Sequence, residues 1–261
     1  MILDFIRRNT GNFGGVVVLA ERIRILAVGA HPADVPKRAG GTLMKYAAAG
    51  HEVYMATLTY GETKESQLLW KQPGMTIEKV KPIRRKEFLE ASDFMKVKPL
   101  CFDYGDHPNL VIDDERADEL AETIRRIRPH IILTHWILTL YDDHREAGKS
   151  ICMKAVPRAA DPNALKNSNY EPWRVKAIYL FEPAIGLIDE TRFIPDIYID
   201  ITDFYEKKME ALKFFWKSQT DVSEYYAGVA RYCGLQSRVR YAERFIQFRT
   251  QRVFDFFPLS L

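Results

Sequence analysis

The sequence has few cysteines, and they do not form a pattern typical of a disulfide framework or of a thiolate zinc site. The three residues, Cys101, Cys152 and Cys233, are far apart, odd in number and without a CxxC pair. Small secreted domains depend on paired cysteines, whereas intracellular proteins keep their thiols reduced. We therefore expect no disulfide framework and a cytoplasmic location.

A strong charge of one sign is also missing. The 261 residues include 38 basic and 35 acidic side chains, which give a formal net charge of +3. Nucleic-acid-binding domains concentrate basic residues, so this balance argues against a nucleic-acid partner and leaves anionic small molecules open. With 47% hydrophobic residues, the chain is long enough to bury one large core.

No apolar run approaches the roughly 20 residues that a membrane-spanning helix needs, so we expect no membrane partner. The apolar stretch 16–20 follows a pair of arginines, but two glycines shorten it and no small-residue cleavage pattern comes after it. This argues against a signal peptide. We expect residues 1–20 to form an extension, which a neighbouring subunit of a homo-oligomer can contact, and residues 21–261 to form a single domain.

Sequence motifs of the common nucleotide-binding and hydrolase sites are absent as well. The pair Gly40-Gly41 lacks the GxGxxG spacing of a dinucleotide site and lies too far from the preceding apolar run. The sequence contains no Walker loop, no HExxH and no GxSxG. These absences exclude the most recognisable phosphate-binding and serine-nucleophile sites.

What the sequence does contain is an alternation of β-type apolar runs and helix-like segments. Residues 23–28 and 52–60 are predicted strands around a helix at 42–49, which ends at Gly50. A unit of this kind favours a parallel sheet with a right-handed crossover. Further strands are predicted at 100–104, 131–134, 175–181 and 196–201, further helices at 83–95, 114–128, 145–155 and 202–219, and a loop at 157–174. We expect an α/β fold with a mostly parallel sheet and a helical C-terminal part.

Polar side chains that can bind metals or move protons follow one predicted strand after another. They are His31, Asp34, Glu62, Glu65, Asp106, His107, His135, His144 and Glu182. The carboxyl ends of parallel strands lie at one edge of the sheet, where open α/β folds bind ligands, so we expect these side chains to converge. Imidazole and carboxylate groups are ordinary zinc ligands, and the pattern therefore predicts a Zn²⁺ site.

His31 and Asp34 are the first two predicted ligands, because they follow the first strand and lie only three residues apart. We select His144 as the third ligand, since the preceding Asp143 can orient it or a neighbouring ligand. His135, at the end of another predicted strand, is the alternative to His144.

Four short segments resemble the PIG-L/LmbE-like family of zinc-dependent N-deacetylases, whose pattern is AHPDD, GGT, TxGE and HPDH. The segments are His31-Pro32-Ala33-Asp34, Gly40-Gly41-Thr42, Thr59-Tyr60-Gly61-Glu62 and Asp143-His144. The resemblance implies a Rossmann-like three-layer sandwich with His31, Asp34 and His144 as metal ligands. Two positions depart from the pattern. The general-base Asp of the family falls on Ala33, and the His that opens HPDH falls on Tyr141.

The departure at Ala33 bears on the chemistry, because a methyl group accepts no proton and loss of a general base usually costs about 10²–10⁴ in rate. The 4-oxalomesaconate hydratases, a subgroup of the same family, also carry Ala-Asp after the His. The chain is similar to them at 38–41, 61–66, 69–71, 74–76, 79–81, 84–85, 181–183 and 224–226. The resemblance implies a zinc-dependent hydratase that adds water to an unsaturated oxo-carboxylate.

A hydratase of this kind needs a Lewis acid and a group that moves protons. Glu65 or Glu62 can move the proton, and we favour Glu65 because Glu62 can instead brace its loop. Arg38 and Lys64 are predicted to pair with carboxylates of the substrate. The remaining candidates are Asp143 as a catalytic group and His107, Tyr141 and Glu182 as substrate-binding groups.

Two other functions stay open at this point. An N-deacetylase acting on an acetylated sugar or amine would need Glu62 or Glu65 in place of the missing base, whereas a catalytically silent metal-binding protein would need neither. Residues 136–141 and the pair Ala184-Ile185 are more apolar than the corresponding segments of the hydratases. This difference favours a substrate with less charge.

Overall fold

A computed structural model describes residues 22–183 and 191–248 of the chain, so the predicted extension 1–20 and the pair Ala184-Ile185 lie outside the described residues. A seven-stranded sheet lies between two layers of helices. Its strands are β1 (Arg24–Gly29), β2 (Glu52–Thr57), β3 (Lys98–Cys101), β4 (Ile131–His135), β5 (Ala177–Phe181), β6 (Ile197–Asp200) and β7 (Ala242–Gln247).

The described helices include one π-helical and two 3₁₀ segments. The α-helices are α1 (Asp34–Ala48), α2 (Gln67–Trp70), α3 (Ile77–Met95), α4 (Asp114–Ile127), α5 (Asp142–Ser150), α6 (Val156–Ala160), α7 (Tyr205–Leu212) and α8 (Ser223–Ser237). A π-helix, Ile151–Ala155, joins α5 to α6, and the 3₁₀ turns Thr202–Phe204 and Lys213–Phe215 flank α7. Within the described ranges, none of the helices has the length and apolar character to span a bilayer.

The strand order is β3-β2-β1-β4-β5-β7-β6, with β1 to β5 parallel and β7 antiparallel to both of its neighbours. The chain moves outward from β1 to β3 and then returns to β4 on the other side of β1. This reversal creates a switch point between β1 and β4, where open α/β sheets bind ligands. The predicted α/β fold with a mostly parallel sheet is confirmed.

The two faces of the sheet are covered because successive strand residues point in opposite directions. Ile25 and Ala27 of β1 belong to an apolar cluster with residues of α1 and α3. Leu26 and Val28 belong to a second cluster with residues of α4 and of the π-helix. The sheet is therefore the central layer of three, as predicted.

Helix α1 begins at Asp34, well before the predicted start at residue 42. The prediction was wrong because it relied on the low helix propensity of Gly40 and Gly41. In the structure, the lack of a side chain lets the helix pack closely. A Cβ atom on Gly41 would lie 2.9 Å from side-chain carbons of Ile201. Glu243 of β7 also accepts hydrogen bonds from the N–H groups of Gly41 and Thr42. The early start places Asp34 on a rigid helix.

The C-terminal part is less helical than predicted. The helix expected at 202–219 is interrupted, and β7 occupies residues expected to be helix or a mobile end. The strand contains two buried charged residues, each of which is paired. Glu243 lies 2.8 Å from Lys208 Nζ, and Arg244 Nε lies 2.7 Å from Glu182 Oε2. Because charged residues are typical of exposed segments, this composition did not indicate a buried strand.

We predict that Gly41→Ala lowers the free energy of unfolding by about 1–3 kcal/mol, because the added methyl group meets Ile201 at overlapping distance. Gly40→Ala is the matched control. Its Cβ would meet only Lys208 and Met95 at 3.6 and 3.7 Å, and the gain in helix propensity is up to about 1 kcal/mol. Urea unfolding measures both variants; equal losses would contradict this packing argument.

Candidate metal centre

The three predicted metal ligands meet at the switch point between β1 and β4. His31 follows β1, Asp34 opens α1, and His144 lies in the first turn of α5. The Asp34 carboxylate accepts a hydrogen bond of 2.7 Å from the His31 N–H. Its Oδ1 lies 3.3 Å from His144 Nε2, and its Oδ2 lies 3.5 Å from His31 Nδ1. The helix start at Asp34 thus brings the carboxylate between two imidazole rings.

Glu65 reaches the same place from the loop after β2. Its Oε1 lies 3.8 Å from His31 Nδ1. One ligand atom each from His31, Asp34, Glu65 and His144 lies within 4.8 Å of the others. Two imidazoles with carboxylates are a donor set typical of zinc. The side chain of Glu65 is 18% exposed, whereas the other three are nearly fully buried, so Glu65 stands at the open side of the cluster.

Several buried polar atoms of this cluster make no hydrogen bond within the described part of the chain. They are both ring nitrogens of His31, Nδ1 of His144 and Oδ2 of Asp143. An unsatisfied buried polar group costs about 1–3 kcal/mol. A divalent cation bonded to imidazole nitrogens offsets such a cost, so the residues present fit a metal ion.

The electrostatics of the cluster also favour a cation. Burial lowers the pKa of His31, but the surrounding carboxylates, Glu65 foremost, raise it to about 10. Burial raises the pKa of Asp34, yet the neighbouring histidines and a guanidinium hold it well below its usual value. Burial lowers the pKa of His144. The lowered pKa values favour the carboxylate form of Asp34 and the neutral form of His144, which are the forms that bind metals.

His135, the alternative to His144, is held by a different set of contacts. Its Nε2 accepts a hydrogen bond of 3.0 Å from the N–H of Ala30, and its ring stacks on His144 at a centroid distance of 4.2 Å. Burial and the neighbouring His144 lower the pKa of His135 to about 3. His135 therefore contacts the turn after β1 and the ring of His144. It does not belong to the group of four residues whose ligand atoms lie close together.

Asp143 lies against His31 and not against its own neighbour His144. Its Oδ2 is 3.3 Å from His31 Nε2, and its Oδ1 accepts a hydrogen bond from the N–H of Leu110. Burial raises the pKa of Asp143, but the nearby His31 ring, the Leu110 N–H and the Lys64 ammonium group lower it to about 2. A carboxylate on the far nitrogen of a ligand histidine fixes the ring orientation.

Two predicted substrate-binding residues are tied to other residues inside the protein. The Arg38 guanidinium donates to Asp34 Oδ1 at 2.8 Å and to the backbone carbonyl of Glu182. The Glu182 carboxylate accepts from Arg244 at 2.7 Å. Both side chains are buried. In this arrangement Arg38 fixes Asp34, and Glu182 joins the end of β5 to β7.

Lys64, Tyr141 and His107 are the more accessible of the predicted substrate-binding residues. Lys64 Nζ lies 3.0 Å from Asp143 Oδ2, and its side chain is 36% exposed. Tyr141 is exposed, with its ring 5.5 Å from that of His144. His107 is exposed on the loop after β3. Lys64 and Tyr141 therefore flank the cluster.

The two candidate glutamates occupy different environments. Glu62 accepts from the N–H of Tyr60, lies 3.7 Å from Lys81 Nζ and receives the Trp70 indole on its carbonyl. Burial and the nearby Asp106 raise its pKa. Glu62 therefore braces its loop, while Glu65 faces the metal ligands.

Ala33 is fully buried in an apolar contact. Its methyl group packs with Ala91 of α3 and with Phe215 of the second 3₁₀ turn. The position where the family carries its general-base Asp is therefore part of the core here, and a carboxylate at this site would be enclosed by apolar groups.

Sequence reasoning missed the polar residues that surround Glu65. Lys37 Nζ and Arg84 Nη2 each lie 3.9 Å from Glu65 Oε2, and Gln219 donates to the same oxygen at 2.6 Å. Burial raises the pKa of Glu65, but these cations, with Lys37 foremost, lower it to about 2. Lys37 lies about one helical turn after Asp34, and this spacing could have indicated that it reaches the site. No local sequence pattern indicates the same for Arg84 or Gln219.

Fold and site together define an α/β protein with a candidate metal centre at the switch point of its sheet. The model of the PIG-L family, described as GlcNAc-PI de-N-acetylase, matches residues 26–156. The chain belongs to the PIG-L family, which is a family of enzymes that depend on metals in general. The family predicted from the short motifs is confirmed.

The relatives of this chain include hydratases and deacetylases. A 4-oxalmesaconate hydratase of Pseudomonas putida is 30% identical over 217 residues, 82% of this chain and 80% of the relative. A diacetylchitobiose deacetylase of Thermococcus kodakarensis is 28% identical over 235 residues, 84% of this chain and 81% of the relative. The crystal structure of the 4-carboxy-2-hydroxymuconate hydratase of Pseudomonas putida has a TM-score of 0.81 and 28% identity, and the match covers 90% of this chain and 99% of that one. The predicted likeness to hydratases is confirmed.

We predict that Asp143→Asn weakens Zn²⁺ binding about 10- to 100-fold, because the variant loses the carboxylate on the far side of the His31 ring. Asp142→Asn is the control, since this neighbouring carboxylate is exposed and pairs with Arg145. Competition with a chromophoric chelator measures both affinities. A loss of the same size in both variants would show that Asp143 does not act through His31.

Proposed function

We propose that this protein is a zinc-dependent hydratase that adds water across the C=C bond of an unsaturated oxo-carboxylate. One observation carries the proposal: the Glu65 carboxylate stands with His31, Asp34 and His144, while the position of the family's usual base is Ala33, packed in the core. The similarity to hydratases over about four fifths of the chain supports the same reaction class.

In this proposal His31, Asp34 and His144 would hold the zinc ion, and Glu65 is the partly exposed member of the cluster. When bound, zinc supplies a Lewis acid that stabilises negative charge on a substrate oxygen. Arg38 holds the Asp34 carboxylate and Asp143 holds the His31 ring. Asp34 and His31 thus each have a partner that fixes the orientation of the side chain.

Glu65 moves the proton in the proposed reaction. The oxygen of a water molecule bonds to one alkene carbon, and the proton it releases passes to the Glu65 carboxylate. The second alkene carbon then takes this proton from Glu65, so that H and OH are added in total and the carboxylate is regenerated. No oxidant or reductant is required.

The surroundings of the cluster support a carboxylate substrate with an apolar portion. Lys64 is the accessible cation beside Asp143 and is our candidate for binding the substrate carboxylate. The loop before α5 exposes Leu138, Leu140 and Tyr141, and the Tyr141 ring lies near His144. We therefore propose a substrate with fewer charges than a tricarboxylate. The substrate-binding roles of Arg38, His107 and Glu182 stay predictions.

We predict that Glu65→Gln lowers kcat for hydration by about 10²–10⁴, because the amide accepts no proton from water. Loss of ultraviolet absorbance by conjugated oxo-mono-, di- and tricarboxylates measures the reaction of the zinc-loaded protein. Zinc content is expected to stay at one ion per chain, since the two imidazoles and Asp34 remain.

Glu62→Gln is the matched control, because Glu62 contacts its own loop and Lys81 instead of the cluster. Its expected effect is a lower Tm with kcat within about threefold of the wild type. The proposal would be wrong if no conjugated oxo-carboxylate lost absorbance, or if Glu65→Gln left kcat unchanged.

Deacetylation is the second candidate, favoured by the deacetylase relatives. In that reaction Glu65 would have to replace the missing Asp, since Ala33 cannot accept a proton. Release of acetate from N-acetylated amino sugars by the zinc-loaded wild type, abolished by Glu65→Gln, would favour this activity over hydration.

We also propose a cytoplasmic, homo-oligomeric protein with a small-molecule substrate. All three cysteines are free thiols, which suits a reducing compartment. Light scattering coupled to size exclusion measures the oligomeric state, for which a single 30.3 kDa species would contradict the proposal.

A further inference from the structure

Gln219 makes two hydrogen bonds that join a distant part of the chain to the candidate acid–base group. Its Nε2 donates to Glu65 Oε2 at 2.6 Å, and its Oε1 accepts from Lys37 Nζ at 2.8 Å. An ammonium group can only donate and a carboxylate can only accept, so these partners define the orientation of the amide. The neutral amide of Gln219 thus bridges a cation and an anion.

The backbone of Gln219 is itself held in place. Its N–H donates to the carbonyl of Phe215, and the carbonyl of Ser218 accepts from the N–H of Leu68, in the segment that follows Glu65. The Ser218 hydroxyl donates to Glu87 Oε1 at 2.6 Å. The segment that carries Gln219 is thus attached to the Glu65 loop and to α3.

A second chain of contacts runs from Ser218 to the same carboxylate. Glu87 Oε2 accepts from Arg84 Nη1 at 2.7 Å, and Arg84 Nη2 lies 3.9 Å from Glu65 Oε2. The Arg84 side chain has no exposed surface. Ser218 and Gln219 therefore support Glu65 by two routes, of which the Gln219 route is direct.

The two carboxylate oxygens of Glu65 have different neighbours. Oε2 receives Gln219 and faces both Lys37 and Arg84, whereas Oε1 faces His31 in the metal cluster. A carboxylate held by one oxygen presents the other in a fixed direction. Positioning of this kind matters because a displacement of about 1 Å can cost on the order of 10²-fold in rate.

We propose that Gln219 is a positioning residue that anchors Glu65 Oε2 and thereby directs Oε1 toward the reacting atoms. The proposal rests on the acid–base role of Glu65 in the proposed function. The proposal gives the segment between α7 and α8 a role in the site. This segment is far along the chain from every predicted ligand.

The first test compares kinetics in two backgrounds. Gln219→Leu is expected to lower kcat about 10- to 100-fold with zinc content and KM little changed. Gln219→Glu keeps the size of the side chain and the bond to Lys37 but cannot donate to Glu65, so it is expected to lose at least as much. In a Glu65→Gln background, Gln219→Leu is expected to cause no further loss beyond about twofold.

Gln236→Leu is the matched control for these variants. Gln236 also makes two side-chain hydrogen bonds, to Tyr198 and Tyr232, at an exposed position away from the cluster. Its kcat is expected to stay within about twofold of the wild type. If Gln219→Leu reduced kcat by the same factor with and without Glu65, its role would be structural and the proposal would be overturned.

The second test needs no activity and separates this proposal from the proposed function. Urea midpoints of metal-free wild type, Gln219→Leu, Glu65→Leu and the double variant form a double-mutant cycle. We expect the double variant to shift the midpoint by less than the sum of the single shifts, since both single changes break the same hydrogen bond. Additive shifts would overturn the anchoring role. If the wild type hydrated no substrate but the cycle were non-additive, the hydratase would fail and the anchor would stand.

Discussion

The Asp34 carboxylate has no exposed surface, so its charge must be compensated entirely by neighbouring groups. It accepts hydrogen bonds from the His31 N–H and from Arg38, and its Oδ1 lies 3.3 Å from His144 Nε2. These partners come from the turn after β1, from α1 and from α5. One buried charge therefore joins the elements on both sides of the switch point, and the place where a metal can bind is also where the fold is held together.

The sequence was sufficient to predict the parts of the site that lie next to strand ends. His31 and Asp34 directly follow an apolar run, and Glu65 follows the next one, so the rule for parallel sheets places them together. The π-helix after α5 and the short helix α2 were not predicted. Glu62 is held by its own loop, and the preference for Glu65 as the group that moves the proton stays a prediction.

The remaining features could not be predicted because they depend on contacts between residues far apart in the chain. Glycine is unfavourable inside an isolated helix, but Gly41 lies inside α1, where the lack of a side chain allows close packing against Ile201. Glu243 and Arg244 are typical of an exposed segment, but pairing with Lys208 and Glu182 buries them in β7. In each case a partner far along the chain reverses the local preference. The role of Gln219 could not be predicted for the same reason, because its side chain makes its hydrogen bonds to Lys37 and Glu65.

The distribution of these contacts along the chain has a consequence for the order in which the site is assembled. His31, Asp34, Glu65 and His144 all leave the ribosome before Gln219, Glu243 and Arg244, which reach back to Glu65, to α1 and to the end of β5. The contacts that hold Glu65 are therefore completed only after all four residues of the cluster have been synthesised. A chain that ended before Gln219 would contain the cluster without the hydrogen bond that holds Glu65 Oε2.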